Sequence, residues 1–346
     1  MKTGRRTGHA LPSATVKLAD VATAAGVGIA TASRAISNPK RVNAETREKV
    51  LDVANKLGYS INLAARSLRS GLSNSVLVMV PPWHSSDIFE TILHGIDTEL
   101  LRSGYNMIVG NLGTDLIADP RTLELARGGF VDGLLAIANE PPLSGKLSVL
   151  SAKVPTVGLL IDLSRHGVPS VVSDDRNAVF ELIKTMVADG RRRFMYVSGP
   201  KGDYHDDERY AGFKKALSAI SDLPKSIRFD GDWSYEAGVK AAKAYLGRDR
   251  NDRPDAAIFS SDRMAISFMD TVSRAGVKIP EDIAIAGFDG IDGAQYCNPS
   301  LTTIEQSKEL LGAFGARLLV KLIRGEKAGT NDLLVVPTQL IRRESF

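Results

Sequence analysis

The chain has 346 residues, 43% of them hydrophobic, with 44 Lys/Arg, 40 Asp/Glu and a single cysteine, Cys297. That apolar content excludes a disordered chain, and one cysteine excludes an internal disulfide and fits a reducing compartment. No run of 18 apolar residues marks a membrane span, and the basic start MKTGRRTGHALPSA lacks the apolar stretch of a secretory signal, so the expected setting is the cytoplasm.

Charge is distributed unevenly. Residues 1–71 carry twelve Lys/Arg against four Asp/Glu, a net +8, whereas the other 275 carry 32 against 36, a net −4. A basic head on a mildly acidic body points to a polyanion, because phosphate neutralisation dominates nucleic-acid affinity. Residues 1–14 are expected to form a flexible basic tail.

The next stretch, 15–60, predicts a helix-turn-helix. Leu18–Ala25 (LADVATAA) is rich in helix formers, and Gly26 stops it as glycine does just past a helix end. A second short helix starts at Ile29. Leu18, Val21, Ala22 and Ala25 share one face of the first helix, and Ala32, Ala35 and Ile36 give the second a matching inner face. Ile29, Ala30, Ser33 and Arg34 then point outward, as a recognition helix would lay them in the major groove. Arg34 can hold guanine O6 and N7, Ile29 and Ala30 offer apolar contact such as to a thymine methyl, and Thr31 and Ser33 can donate to phosphate. The bland alternative is a solvated helical hairpin on which Arg34 is only a surface charge. Asn38-Pro39 ends the second helix, Asn43 is placed to cap a third, and Val50, Val53, Ala54 and Leu57 form its buried stripe up to Gly58.

Residues 61–73 begin INLAARSLRSG, where Asn62 can cap a helix too short to be stable alone, with Ala64, Ala65 and Leu68 on one side and Arg66 and Arg69 on others. From Ser75 onward, apolar strands alternate with helices. Strands are expected at 75–81, 105–110, 131–137, 155–160, 194–198, 256–259 and 283–287, with a helix at 88–101. That alternation predicts parallel sheets covered on both faces, with ligands bound beyond the carboxyl ends of the strands. The five histidines show no metal-ligand spacing, and neither a GxxxxGK[ST] phosphate loop nor a GxSxG elbow is present. Catalysis therefore finds little support, and no cofactor is expected.

The ordered run TVKLADVATAAGVGIATASRAISNPKRVNAETREKVLDVANKLGY resembles the head of the lactose/galactose repressor (LacI/GalR) family of transcriptional regulators. Ile279–Asp289 (IPEDIAIAGFD) and Cys297–Ile304 (CNPSLTTI) extend the resemblance through the body. It implies an α/β chain: an all-α helix-turn-helix head, a hinge helix, then a two-subdomain, periplasmic-binding-protein-like body at 74–346. The subdomains are expected at about 74–171 with 302–330, and about 172–301 with 331–346. The resemblance makes Thr15, Lys17 and Gly28 further DNA contacts, and makes the segment of Asn62, Ala65, Arg66 and Leu68 a hinge helix whose leucine wedges into the minor groove. Gly28 stands where the family usually has serine, and Ser307 where it usually has proline.

The implied partners are double-stranded operator DNA, a second copy of the chain (a dimer, or a tetramer) and a small-molecule effector, with no membrane. Asp289, Arg209 (in ERYAGF) and Trp233 (in GDWSYEAG) match family positions that meet the ligand. Ser261 and Asp262 match a polar pair at a strand end, His205 and Asp203 lie in a nearby loop, and Asp174 matches an acid at the first crossover. A sugar or sugar acid ranks ahead of a nucleoside as effector, although GDWSYEAG looks nearest a nucleoside-responsive, cytidine-repressor-like branch. The alternative from a different class is a solute-binding module with no DNA role, against which the basic head counts.

Overall fold

The computed structural model describes residues 16–37, 41–59, 72–81, 87–111, 124–125, 128–138, 154–221, 223–326 and 332–346. The expected tail and hinge helix, with Thr15, Asn62, Ala65, Arg66 and Leu68, lie outside them. The chain forms two units, Met1–Gly71 and Leu72–Phe346.

In the first unit, α1 (Leu18–Ala25), α2 (Ile29–Ser37) and α3 (Ala44–Leu57) enclose a small core. Val21, Ala22, Ala25, Ala32, Ala35, Val50 and Ala54 are buried in it. Five of these seven are alanines, so the helix backbones can approach closely. The local signals act as expected. The Lys17 backbone N–H donates to Asp20 Oδ2 at 2.8 Å, and Gly26 ends α1 in the left-handed region at φ 65°. Asn43 Oδ1 accepts from the Thr46 backbone N–H at 2.8 Å, relieving one orphan donor of α3.

The second unit holds two six-stranded sheets. Chain order gives β1 (Ser75–Val80), α4 (Asp87–Ser103), β2 (Asn106–Asn111), β3 (Gly133–Ile137), β4 (Thr156–Leu159) and β5 (Ser170–Ser173). Next come α5 (Asp175–Ala188), β6 (Phe194–Val197), α6 (Tyr204–Ser218), β7 (Ile227–Phe229), α7 (Tyr235–Leu246), β8 (Ala256–Phe259), α8 (Asp262–Arg274) and β9 (Ala284–Asp289). The unit closes with α9 (Gly293–Tyr296), β10 (Thr302–Gln306), α10 (Lys308–Ile323), β11 (Leu333–Val336) and β12 (Thr338–Ile341).

The strand period of two explains the apolar runs, since each strand must bury both faces. In β1, Val76, Val78 and Val80 face one core, while Leu77 and Met79 face another. In β6, Met195 and Val197 face one side and Phe194 and Tyr196 the other. The first sheet runs β11-β5-β4-β3-β1-β2 and the second β12-β10-β9-β8-β6-β7. All pairings are parallel except β10 with β12, so the expected parallel sheets carry one antiparallel edge strand.

Pairing also moves two subdomain boundaries. Thr302–Glu305 pair with Ala286–Asp289, so the second sheet continues through β10 and the second crossover falls at 306–308, not near 301. Leu333–Val336 pair with Ser170–Ser173, so the third crossover falls at 336–338 and not near 331. The first lies at 173–175, between β5 and α5.

Candidate DNA-reading surface and effector pocket

The head presents the predicted reading face on α2. Ile29 is 57% exposed, so its side chain is accessible to a partner. Gly28, Ala30, Arg34 and Lys17 are exposed, whereas Thr31 and Ser33 are half-buried. The Arg34 side chain lies along this face, its Nε donating to the Ala30 carbonyl at 3.1 Å. The Gly28 carbonyl accepts the first helical bonds, from Thr31 N at 2.9 Å and Ala32 N at 3.0 Å, so Gly28 occupies the N-cap.

The predicted effector residues come from the carboxyl ends of the second sheet and the adjoining helices, and they separate into two groups. The first converges on Arg209, which is 3% exposed. Its Nε donates to Asp175 Oδ2 at 3.1 Å, its Nη1 donates to the Ser260 carbonyl, and its Nη2 lies 3.5 Å from Asp289 Oδ1. The guanidinium carbon stands 3.7 Å from the centre of the Phe288 ring and 5.6 Å from that of Trp233. His205 Nδ1 joins from the preceding turn of α6, 2.9 Å from Asp175 Oδ2. Asp289, Arg209, Trp233 and His205 are thus brought together.

The second group supports the frame. Asp203 Oδ1 caps α6, accepting from His205 N at 2.9 Å and Asp206 N at 3.2 Å. Ser261 Oγ caps α8, accepting from Met264 N at 3.5 Å. Asp262 is buried at the start of α8, where Oδ1 accepts from Thr303 Oγ1 at 2.6 Å and Oδ2 from the Ile291 N–H at 2.9 Å.

The electrostatics follow from burial. Asp289 has its carboxyl raised by burial, which Arg209 and Lys308 oppose only in part. Burial also pushes Asp262 up to about 8, with neighbouring Asp289 acting in the same direction. At Asp175 burial acts upward too, but Arg209 and His205 outweigh it and hold the carboxyl low. A raised and a lowered carboxyl around one arginine is an arrangement seen at functional sites.

Strain marks the same place. Asp289 has φ 113° and Trp233 φ 68°, two of only four non-glycine residues with positive φ among those described. Such backbone costs on the order of 1–3 kcal/mol and persists where the surroundings enforce it. Gly199 accepts Trp233 closely: a Cβ there would lie 2.2 Å from the indole.

Sequence reasoning read Asp174 as an acid at the first crossover with no ligand role assigned, and overlooked Asp175. Asp174 takes the N-cap position of α5 without a side-chain cap bond, while Asp175 is the buried partner of Ser173, His205 and Arg209. It also missed Gln306, whose Nε2 donates to Asp289 Oδ1 at 2.8 Å, and Lys308, whose Nζ donates to the Gly290 carbonyl at 2.8 Å. Both sit at the second crossover, so placing that boundary at 301 hid them. A third omission is the brace of Asp206, which accepts from Tyr196 Oη at 2.9 Å and from Gly199 N at 2.8 Å.

A basic helix-turn-helix unit and a two-sheet receptor define a ligand-controlled DNA-binding regulator, and comparison with known proteins agrees. Residues 17–62 match the family model "Bacterial regulatory proteins, lacI family", and 183–346 match a periplasmic binding protein-like domain. The HTH-type transcriptional repressor CytR of Escherichia coli is 30% identical over 332 residues, 95% of this chain and 96% of the relative. The HTH-type transcriptional regulator CelR of Thermobifida fusca is 31% identical over 334 residues, covering 94% and 96%. A lac repressor dimer bound to operator and an anti-inducer shares the fold at TM-score 0.84, with 24% identity over 96% of this chain and 99% of that one. The chain belongs to the lacI family. It is a DNA-binding transcriptional regulator with an effector-binding domain, not an enzyme, and family members bind operator DNA and effectors as dimers.

Proposed function

We propose that this regulator represses a catabolic operon, reading a palindromic operator through α2 of two paired heads and releasing or tightening it when an effector binds. Protein two-fold symmetry demands the palindrome. The carrying observation is the exposed Ile29-Ala30-Arg34 face on a unit of net charge +8. Gly28, Thr31, Ser33, Lys17 and Thr15 are assigned to phosphate, and Asn62, Ala65, Arg66 and Leu68 to the hinge contact. Asp289, Arg209, Trp233 and His205, joined by Asp175 and Gln306, are assigned to the effector, with Asp203, Ser261 and Asp262 behind them.

A sugar or sugar acid ranks ahead of a nucleoside. A solved transcriptional regulator CelR–cellobiose complex, 28% identical to this chain with TM-score 0.66 over 96% of it and all of that chain, favours the sugar. No helix among the described residues is long and apolar enough to cross a membrane, and a DNA partner supports a cytoplasmic setting.

Capture from sheared genomic DNA at moderate salt tests the reading. Enrichment of one or a few palindromes is expected, and Arg34→Ala should cost about 1–3 kcal/mol at one base position. Binding without sequence preference that vanishes as salt rises would leave only a phosphate-binding head.

A further inference from the structure

The buried apolar clusters of the body each draw on one subdomain alone. Among the described residues, one partly buried side chain crosses that division. Tyr204, the first residue of α6, belongs to the second subdomain. Its ring packs against the first subdomain's cluster of Leu77, Met79, Leu134, Ile161, Leu163 and Val168.

Tyr204 stands on a stiff support. Asp203 caps α6 directly before it, and His205, directly after it, meets Asp175 at 2.9 Å. One turn further on, Glu208 accepts from Arg176 Nε at 2.9 Å and from Arg176 Nη2 at 2.6 Å. The starts of α5 and α6 are thereby joined into one piece, and α5 begins at the first crossover. Tyr204 extends from that piece onto the other subdomain. Chain segments that cross between two subdomains bend readily, and the subdomains move unless apolar contact holds them. A packed ring beside the first crossover removes part of that freedom.

The side chain suits the task. Its ring meets that of His205 edge-on, with 5.6 Å between centres. Burial raises the Tyr204 hydroxyl above its ordinary range, and the carboxylates of Glu208 and Asp162 act in the same direction. The phenol therefore stays neutral against the apolar cluster. Asp162 lies on the first subdomain and is fixed in its own loop, where Oδ1 accepts from Ser164 N at 2.9 Å and from Ser164 Oγ at 2.6 Å.

We propose that Tyr204 is a positioning residue whose ring pins the first crossover and holds the two subdomains in one relative arrangement before any effector binds. Neither effector nor operator takes part, so this inference stands or falls independently of the function proposed above. A ligand that binds that arrangement finds it already populated, and its apparent affinity falls in proportion as the population falls.

Pulsed electron–electron distance measurement on the full-length protein tests this. Spin labels are attached at Lys214→Cys on α6 and Lys321→Cys on α10, both exposed positions. The background is Cys297→Ser, which removes the one native cysteine. Unlabelled protein in excess keeps each measured distance within one chain, and effector and DNA are omitted. The parent is expected to give one distance, and Tyr204→Phe, which keeps the ring, the same one. Tyr204→Ala and the milder Tyr204→Val, each shown by circular dichroism to be folded, should move at least about a third of the molecules to a second distance. The parent's single distance in both variants overturns the proposal, because a merely structural tyrosine would lower stability without moving the subdomains. Two comparable populations in the parent overturn it as well. A Tyr204→Phe distribution like that of Tyr204→Ala overturns the role of the ring and assigns the contact to the hydroxyl.

Discussion

At Gly28 the head departs from its family in a way the structure makes testable. A Cβ there would meet no atom within 4 Å, and the residue already holds the N-cap through its carbonyl. Gly28→Ser should therefore be tolerated. It should stabilise the head by about 0.3 kcal/mol, because Ser exceeds Gly as a cap by only a few tenths. It should also add a hydroxyl toward phosphate, tightening operator binding roughly fivefold. Fluorescence anisotropy on the captured operator checks this, and unchanged binding would mean that Gly28 does not face DNA. In the pocket, Asp262 carries a different prediction. Its folded pKa of about 8 lies well above the unfolded value of about 3.9. Between these values the native state holds a proton that the unfolded state lacks, so stability falls as pH rises, by up to about 1.4 kcal/mol per pH unit. Asp175, whose carboxyl is lowered, acts only in the acid range and leaves this window clear. Urea unfolding of the body from pH 5.5 to 7.5 should show the decline, and Asp262→Asn should make it shallower. An equally steep decline in that variant would mean that the proton sits elsewhere. That Asp175 was overlooked has a physical cause. Both aspartates can stand at the start of a helix, and only the packing of α5 against α6 decides which one turns inward.

Elements were more legible than contacts between them. The head helices, and β1, β3, β4, β6 and β8, are readable because caps, glycine stops and doubly apolar strands are local signals. Of the edge strands only β2 was, while β7, β11 and β12 were not. β7 buries little, and β11 leaves Leu333, Leu334 and Val335 exposed, so neither has the pattern of a buried strand. Close helix approach was equally invisible. At the crossing of α4 and α10 a Cβ on Gly95 would lie 2.2 Å from the Glu309 carbonyl oxygen, and one on Gly312 2.2 Å from that of Ile92. The two glycines let the backbones touch, and no periodicity in the sequence announces that. Gly312→Ala should force the helices apart and cost about 1–3 kcal/mol, the usual range for overpacking. Gly293→Ala is the control: its Cβ would find nothing nearer than 3.6 Å, and the change should stay within about 0.5 kcal/mol. Urea midpoints of the two variants decide between them, and equal midpoints would show that α4 and α10 can separate without cost.

At the scale of the whole molecule, the crossovers connect the pocket to the frame. Asp175 follows the first one directly, and Gln306 and Lys308 flank the second, so under the proposed assignment an effector held at Asp175 and Gln306 would act on the strands joining the two sheets. The third crossover is tied to the second by a side chain, since Ser307 Oγ donates to the Pro337 carbonyl at 2.9 Å. The family's usual proline at 307 has no such donor, so this link belongs to the present sequence. An effector shifts an equilibrium only through unequal contacts with its two states, and bonds tying the crossovers together should raise the share of that difference felt at the operator. Ser307→Ala removes one exposed hydrogen bond, so stability should fall by no more than about 1 kcal/mol. The factor by which effector changes operator affinity should fall further, by threefold or more. Linkage requires the same reduced factor when the experiment is reversed and operator DNA is allowed to change effector affinity. Titrating both ways, in parent and variant, tests the argument twice. An undiminished factor would show that the Ser307–Pro337 bond carries no coupling. Unequal factors in the two directions would show that the effector acts on DNA binding by some route other than a shared conformational equilibrium.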